Sequence, residues 1–154
     1  DVEIALSPGF RWGTTLLSGQ DITIDDMYTQ TSMNYPAVYR MEFTGKQLKA
    51  ILEDVCDNLF NPDPFFQQGG DMVRVGGMSY RCAPKAAMGS RISDMVLTRT
   101  GTPIEAEKSY TVGGWASVNP DTEGPAIYDL LESYITGKGV VTPSGDQSVI
   151  IEGV

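Results

Sequence analysis

The sequence contains no histidine. Histidine is the usual general base near neutral pH and the commonest transition-metal ligand. Without it, neither Ser-His-Asp nor Cys-His catalysis can be assembled from this chain. A zinc or manganese centre built here would need carboxylates or thiolates alone. Thiolates are scarce as well. The only cysteines are Cys56 and Cys82, and they do not form a CxxC pair, which excludes a zinc ribbon. They remain open to two readings, a disulfide or two buried thiols.

Long apolar runs are also missing. None approaches the ~18–20 residues of a membrane span. Cations are few, 11 Lys and Arg against 20 Asp and Glu, for a net charge of −9. That balance repels phosphate backbones and anionic lipid, so neither nucleic acid nor a membrane is an expected partner. Glycine pairs stand at 69–70, 76–77 and 113–114, without the spacing of a dinucleotide fingerprint or a P-loop. No basic–apolar–small leader pattern is visible. The opening "DVEIAL", without Met, is what a fragment of a longer protein would show.

What remains is an ordinary globular composition, 41% hydrophobic and 20% charged, of a length expected for one domain over 1–154. "EIAL" (3–6) reads as a short buried strand. Thr23 and Asp26 form a capping-box-like helix start. "AVYRMEF" (37–43) alternates with period two, as a half-buried strand does. "TGKQLKAILEDVCDNLF" has a capping box at Thr44 and Gln47. Its apolar stripe is Leu48, Ile51, Leu52, Val55 and Leu59. "NPDPFF" stops that helix, because each Pro restricts its predecessor and lacks a donor. A strand pair is expected around "MVRVGGMSYRC" and a hairpin turn near Thr100-Gly101, followed by a further strand. A second strong helix begins near Pro125, buries Ile127, Leu130, Leu131, Tyr134 and Ile135, and ends at Gly137 or Gly139. "QSVIIE" closes as a strand. Interspersed helices and hairpins predict an α+β fold with mixed β-sheets and two long amphipathic helices.

Three stretches are candidates for chemistry. "SPGFRWG" sets Arg11 between Phe10 and Trp12 in a loop after a strand. A guanidinium fork grips planar or tetrahedral anions in two places; the structural alternative is stacking on Trp12 or pairing with an acid. "VGGMSYR" (75–81) carries paired glycines, a sign of a bulge or a close backbone approach, to a ligand or to a crossing strand. "GGWASVNPDTEG" (113–124) gathers Trp115, Asn119, Asp121 and Glu123 ahead of a helix. The structural alternative there is a capping loop in which Asp121 or Thr122 serves helix donors. The paired acids Asp25-Asp26, Glu53-Asp54 and Asp121/Glu123 read more simply as helix-start or solvated groups. The residues describe a binding surface rather than a self-sufficient catalytic centre.

The order of these motifs resembles the C-terminal domain of the 5′-nucleotidase family over nearly the whole chain. The segments that carry the resemblance are "MEFTGKQLKAILE", "VRVGGMSYRCAP" with "GSRI", and "YTVGGWASVNPDTEG". Within the family, "ALSPGFRWG", "MNYPAVYRMEFTG" and "GGDMVRVGGMSYRCAP" look most like the thiosulfohydrolases of bacterial Sox sulfur oxidation. The resemblance implies an N-terminal metallophosphoesterase-like domain, outside this chain, holding two metal ions, manganese in the thiosulfohydrolases. No metal is then expected in this domain, and the lack of histidine fits. It also implies a periplasmic location and, as partner, a SoxYZ-type carrier whose cysteine-S-thiosulfonate is hydrolysed to release sulfate. The alternatives are a 5′-nucleotidase or cyclic-nucleotide phosphodiesterase domain, and a carrier-docking module with no role in the active site.

Carried over position by position, Arg11 falls on the family arginine of an Asn-Gly-Gly-x-Arg-like loop that grips the substrate anion. Nucleotidases stack the base between two aromatics; the corresponding residues are Met72 and Ser117, with Trp115 two positions away. The family's loop acid falls near Glu123. The expected substrate-binding set is therefore Arg11, Trp12, Trp115, Asn119, Asp121 and Glu123. No catalytic residue is expected within the domain.

Overall fold

A computed structural model describes residues 1–9, 15–31, 34–117, 121–143 and 148–153. Eight strands and three helices follow one another among them. They are β1 (Ile4–Ser7), α1 (Ile24–Thr31), β2 (Val38–Thr44), α2 (Gly45–Phe60), β3 (Arg74–Gly76), β4 (Met78–Cys82), β5 (Ile92–Leu97), β6 (Thr102–Pro103), β7 (Ser109–Trp115), α3 (Ile127–Lys138) and β8 (Val149–Ile151). A single turn of 3-10 helix, Pro64–Phe66, follows α2. One sheet has the order β2-β7-β1-β3 and the other β6-β5-β4-β8. β8 runs parallel to β4, while β4 and β5 pair antiparallel, so the α+β fold with mixed sheets is as expected.

The chain forms two compact units. The first comprises Asp1–Gly9, Arg40–Gly113 and Asp146–Val154. Its core is built where α2 lays one face on strand side chains. Leu48, Leu52 and Cys56 recur every fourth residue, which aligns them on one side of a helix. They join Ile4, Leu6, Met78, Tyr80, Cys82, Ile92, Tyr110 and Val112 in one buried cluster. β4 alternates buried and half-buried positions, as a strand with one face on a core must.

α2 starts as read. Thr44 accepts from the Gln47 amide at 3.2 Å, and the Gln47 side chain accepts from the Thr44 amide at 2.8 Å. Two further orphan donors of the first turn are served from outside the helix: Gly45 donates to the Lys108 carbonyl and Lys46 to that of Ala106. The stripe is rotated from the expected one. Glu53 and Cys56 lie fully inside, whereas Ile51, Val55 and Leu59 are half-buried.

The stretch read as a strand pair divides instead. β3 pairs with β1 and β4 with β5 and β8, so the two lie in different sheets. Gly77 makes the break. Its φ is +77°, and a Cβ there would lie 2.1 Å from the Glu3 carbonyl oxygen. Only glycine combines that torsion with that approach. The paired glycines therefore answer to a crossing strand.

The second unit comprises Phe10–Tyr39 and Gly114–Gly145. α1 opens on the expected box, with the Asp26 carboxylate accepting from the Thr23 amide at 2.8 Å. Tyr28 and Tyr128 meet at a tilt of 57° with ring centroids 5.0 Å apart, joining α1 to α3. α3 ends at Gly139, φ +71°. Two expectations for α3 fail. Pro125 lies before the helix, its carbonyl accepting from Val38. No α3 residue is fully buried; Leu130 and Tyr134 are 42% and 54% exposed within this chain.

Candidate functional site

β1 ends four residues before Arg11 in the sequence. It is registered on β3, with Leu6 opposite Val75 and Ser7 opposite Arg74. Leu6 packs into the core. After Ser7 the backbone passes hard against the segment preceding β3. A Cβ on Gly9 would stand 2.3 Å from the Asp71 Cβ and 2.8 Å from the Met72 carbonyl oxygen. Gly9 and Met72 are therefore neighbours. Met72 is half-buried, packed against the core cluster. Arg11, Trp12 and Asn119 themselves lie outside the described residues.

In the second unit, β7 ends at Trp115, which is half-buried. Ala116 follows with φ +61°, a left-handed torsion costly for a residue with a Cβ. Ser117 is half-buried, and Asp121 and Glu123 are exposed. The chain is then laced antiparallel to residues 36–38. Val38 donates to Pro125 and Ile127 to Pro36, at 2.9 and 2.8 Å, and Ala37 bridges Ala126. A Cβ on Gly124 would lie 1.9 Å from the Val38 carbonyl oxygen. This lacing sets where α3 begins. The cap position is Ala126, with no side-chain hydrogen bond. Thr122 does not cap the helix, since its buried hydroxyl has no partner.

Residues 1–138 match the family described as "5′-nucleotidase, C-terminal domain". The chain belongs to that family. No match was found among curated proteins. Among solved structures, this 5′-nucleotidase C-terminal domain is similar to the sulfate thiohydrolase SoxB of Thermus thermophilus, determined with glycerol. The match is 36% identical, with a TM-score of 0.89, over 99% of this chain and 29% of that one. It shares its fold with a 5′-nucleotidase precursor, also from Thermus thermophilus, at 18% identity and a TM-score of 0.74, over 97% of this chain and 31% of that one. The NAD nucleotidase NadN of Haemophilus influenzae gives 18% identity and 0.72, over 97% and 30%. The chain thus spans about a third or less of each relative's length.

The 5′-nucleotidase C-terminal domain also carries a polar cluster that its sequence did not announce. Glu53 is buried and accepts from the backbone amides of Gly89 and Ile92, each at 2.8 Å. Arg91 is buried and pairs with Asp57. It also donates to the Ala86 carbonyl at 2.9 Å and to that of Phe60 at 3.4 Å. These contacts hold the 83–92 turn against the end of α2. Asp57, Ala86 and Arg91 also line an open cleft of about 770 Å³, walled by Phe60, Asn61, Pro84 and Met88. Arg91 spends its fork on protein acceptors, so it is a clamp for the chain rather than a seat for an anion. Hydrogen bonds from Arg91 first, then from Asn61, hold the Asp57 carboxyl below its ordinary value. The only sequence signal was a Glu and an Asp four residues apart on a helix, which reads equally well as a solvated face. Among the described residues no three His, Cys, Asp or Glu side chains converge as metal ligands.

Proposed function

We propose that this chain is the substrate-facing C-terminal domain of a thiosulfohydrolase. The full-length enzyme would release sulfate by hydrolysing a cysteine-S-thiosulfonate carried on a SoxYZ-type protein in the periplasm. The observation that carries the reading is the 36% identity to SoxB across 99% of the chain, twice the identity shared with the nucleotidases. Met72 adds to it. An unbranched thioether packed on the core offers no flat face for a nucleobase.

In this reading Arg11 pairs with the sulfonate oxygens by its two-pronged fork. Trp12, Trp115, Asn119, Asp121 and Glu123 line the path of the carrier arm. Residues of this chain do not fit a dimetal centre. Histidine is absent from all 154 positions, and no ligand cluster forms among the described ones. In this reading the two manganese ions would be held by the metallophosphoesterase-like domain expected in cis.

The test is sulfate release from carrier-bound thiosulfonate by the full-length enzyme. Arg11→Ala is expected to lower kcat/KM by about 100-fold or more, in line with losing a fixed charge on a reacting anion. Arg99→Ala, on the exposed turn after β5, should stay within about twofold. Efficient AMP hydrolysis with no thiosulfonate turnover would move the assignment to the nucleotidases. Unchanged turnover with weakened carrier binding in Arg11→Ala would make the domain a docking module.

A further inference from the structure

The centre of the first unit holds two thiols. Cys56 stands on the buried face of α2 and Cys82 at the end of β4, and neither reaches solvent, at 0% and 2% exposure. Their Sγ atoms are 3.2 Å apart. That is inside the ~3.5–4.0 Å at which two carbon atoms sit comfortably, and sulfur is the larger atom. A covalent S–S bond is ~2.03–2.05 Å, so closure asks for a change of about 1.2 Å, within reach of the side-chain torsions.

We propose that Cys56 and Cys82 form a buried disulfide that ties α2 to β4. The two thiols give up two protons and two electrons as the S–S bond forms. The acceptor is the disulfide of a thiol–disulfide oxidant, which leaves as a dithiol. One cysteine thiolate attacks an acceptor sulfur to give a mixed disulfide, and the other displaces it. Exchange needs a thiolate and access. In the packed core the Cys56 thiol is pushed up to about 12, by burial and then by the Cys82 thiol beside it. The exchange therefore belongs to folding, before α2 has docked, and the finished bond is shielded from reductants by the same packing.

The closed loop, residues 56–82, contains the whole connection from the end of α2 to β3. That connection includes the exposed pair Phe65 and Phe66 and the Asp71–Met72 segment that Gly9 abuts. The bond fixes both roots of a segment that packs against Gly9. The inference stands on the core geometry alone, whatever the enzyme hydrolyses.

The experiment uses the full-length protein, reduced and unfolded, then refolded in a glutathione redox buffer. Alkylation in denaturant without reduction, proteolysis and mass spectrometry should give one peptide pair joined through Cys56 and Cys82, lost on reduction. Alkyl label or glutathione on both residues, or a bond from either to another cysteine, would overturn the proposal. Equilibrium urea unfolding gives a second readout. Dithiothreitol should lower the midpoint of the wild type and leave that of a Cys56→Ala/Cys82→Ala variant unchanged. A wild-type midpoint indifferent to dithiothreitol would count against the tie, and should the variant not fold, peptide mapping of the wild type still decides.

Discussion

Arg91 places a full positive charge inside the first unit, where it survives because three acceptors share it: Asp57, the Ala86 carbonyl and the Phe60 carbonyl. Replacing it by Met strands all three, and a lysine cannot reproduce the fork. Both Arg91→Met and Arg91→Lys should therefore unfold at lower urea than wild type, with Arg99→Ala as the neutral control. The acid side gives a separate signature. The Asp57 pKa is lower in the folded protein than its ordinary 3.8. Its contribution is thus fully present above that value and is lost as pH falls through the lower folded one. Urea midpoints measured downward from about pH 5 should fall more steeply in wild type than in Arg91→Met, which has already lost the pairing. Equal slopes would mean that Arg91 is not what holds the carboxylate charged. None of this cluster was legible beforehand. Glu53 and Asp57 find their partners at Gly89, Ile92 and Arg91, more than thirty residues on, and helical periodicity carries no information about so distant a partner.

Elements with local causes were legible. The boxes at Thr23/Asp26 and Thr44/Gln47 and the turn at Gly101 are each fixed within a few residues, and each formed as read. Elements whose cause is remote were not. Nothing local in "VRVGGMSYRC" says that its halves enter different sheets, because the deciding contact is Glu3, at the other end of the unit. α3 makes the same point from the opposite side: an apolar stripe shows that a face wants cover, not where the cover comes from. The division at Gly77 is open to test. Gly77→Ala forces a left-handed torsion and a clash with the Glu3 carbonyl, and is expected to cost about 1–3 kcal/mol in unfolding free energy. Gly76→Ala, whose Cβ would meet only the Ala5 Cβ at 3.4 Å, is expected to cost less than about 1 kcal/mol. Similar losses at both positions would deny Gly77 its special place.

At the scale of the molecule, the chain has a buried core, a family and a fold, and its described residues form no cluster of metal ligands. It spans 29% of the SoxB chain it resembles. The 154 residues alone are expected to fold and to hydrolyse neither thiosulfonate nor AMP, with or without manganese; measurable turnover would return catalysis to this domain. Alkaline titration reads the same core. With the cysteines reduced, Cys56 binds its proton more tightly folded than unfolded, so stability holds below its ordinary 9.0 and drains away as pH rises toward about 12. Tyr80, raised to about 12 chiefly by burial, adds the same loss from about pH 10 upward. Oxidised protein should lack the earlier part of that decline, as urea midpoints across the range would show. One pairing also bears on how the molecule comes into being. Tyr80 on β4 is opposite Val149 on β8, so in a chain made from its N-terminus β4 is synthesised roughly seventy residues before the strand that covers it. Until then its outer row of amides and carbonyls is an open template for any other extended chain. The short β8, carrying only three residues, is the late bolt on that edge, and a polypeptide halted before residue 148 would leave it undrawn.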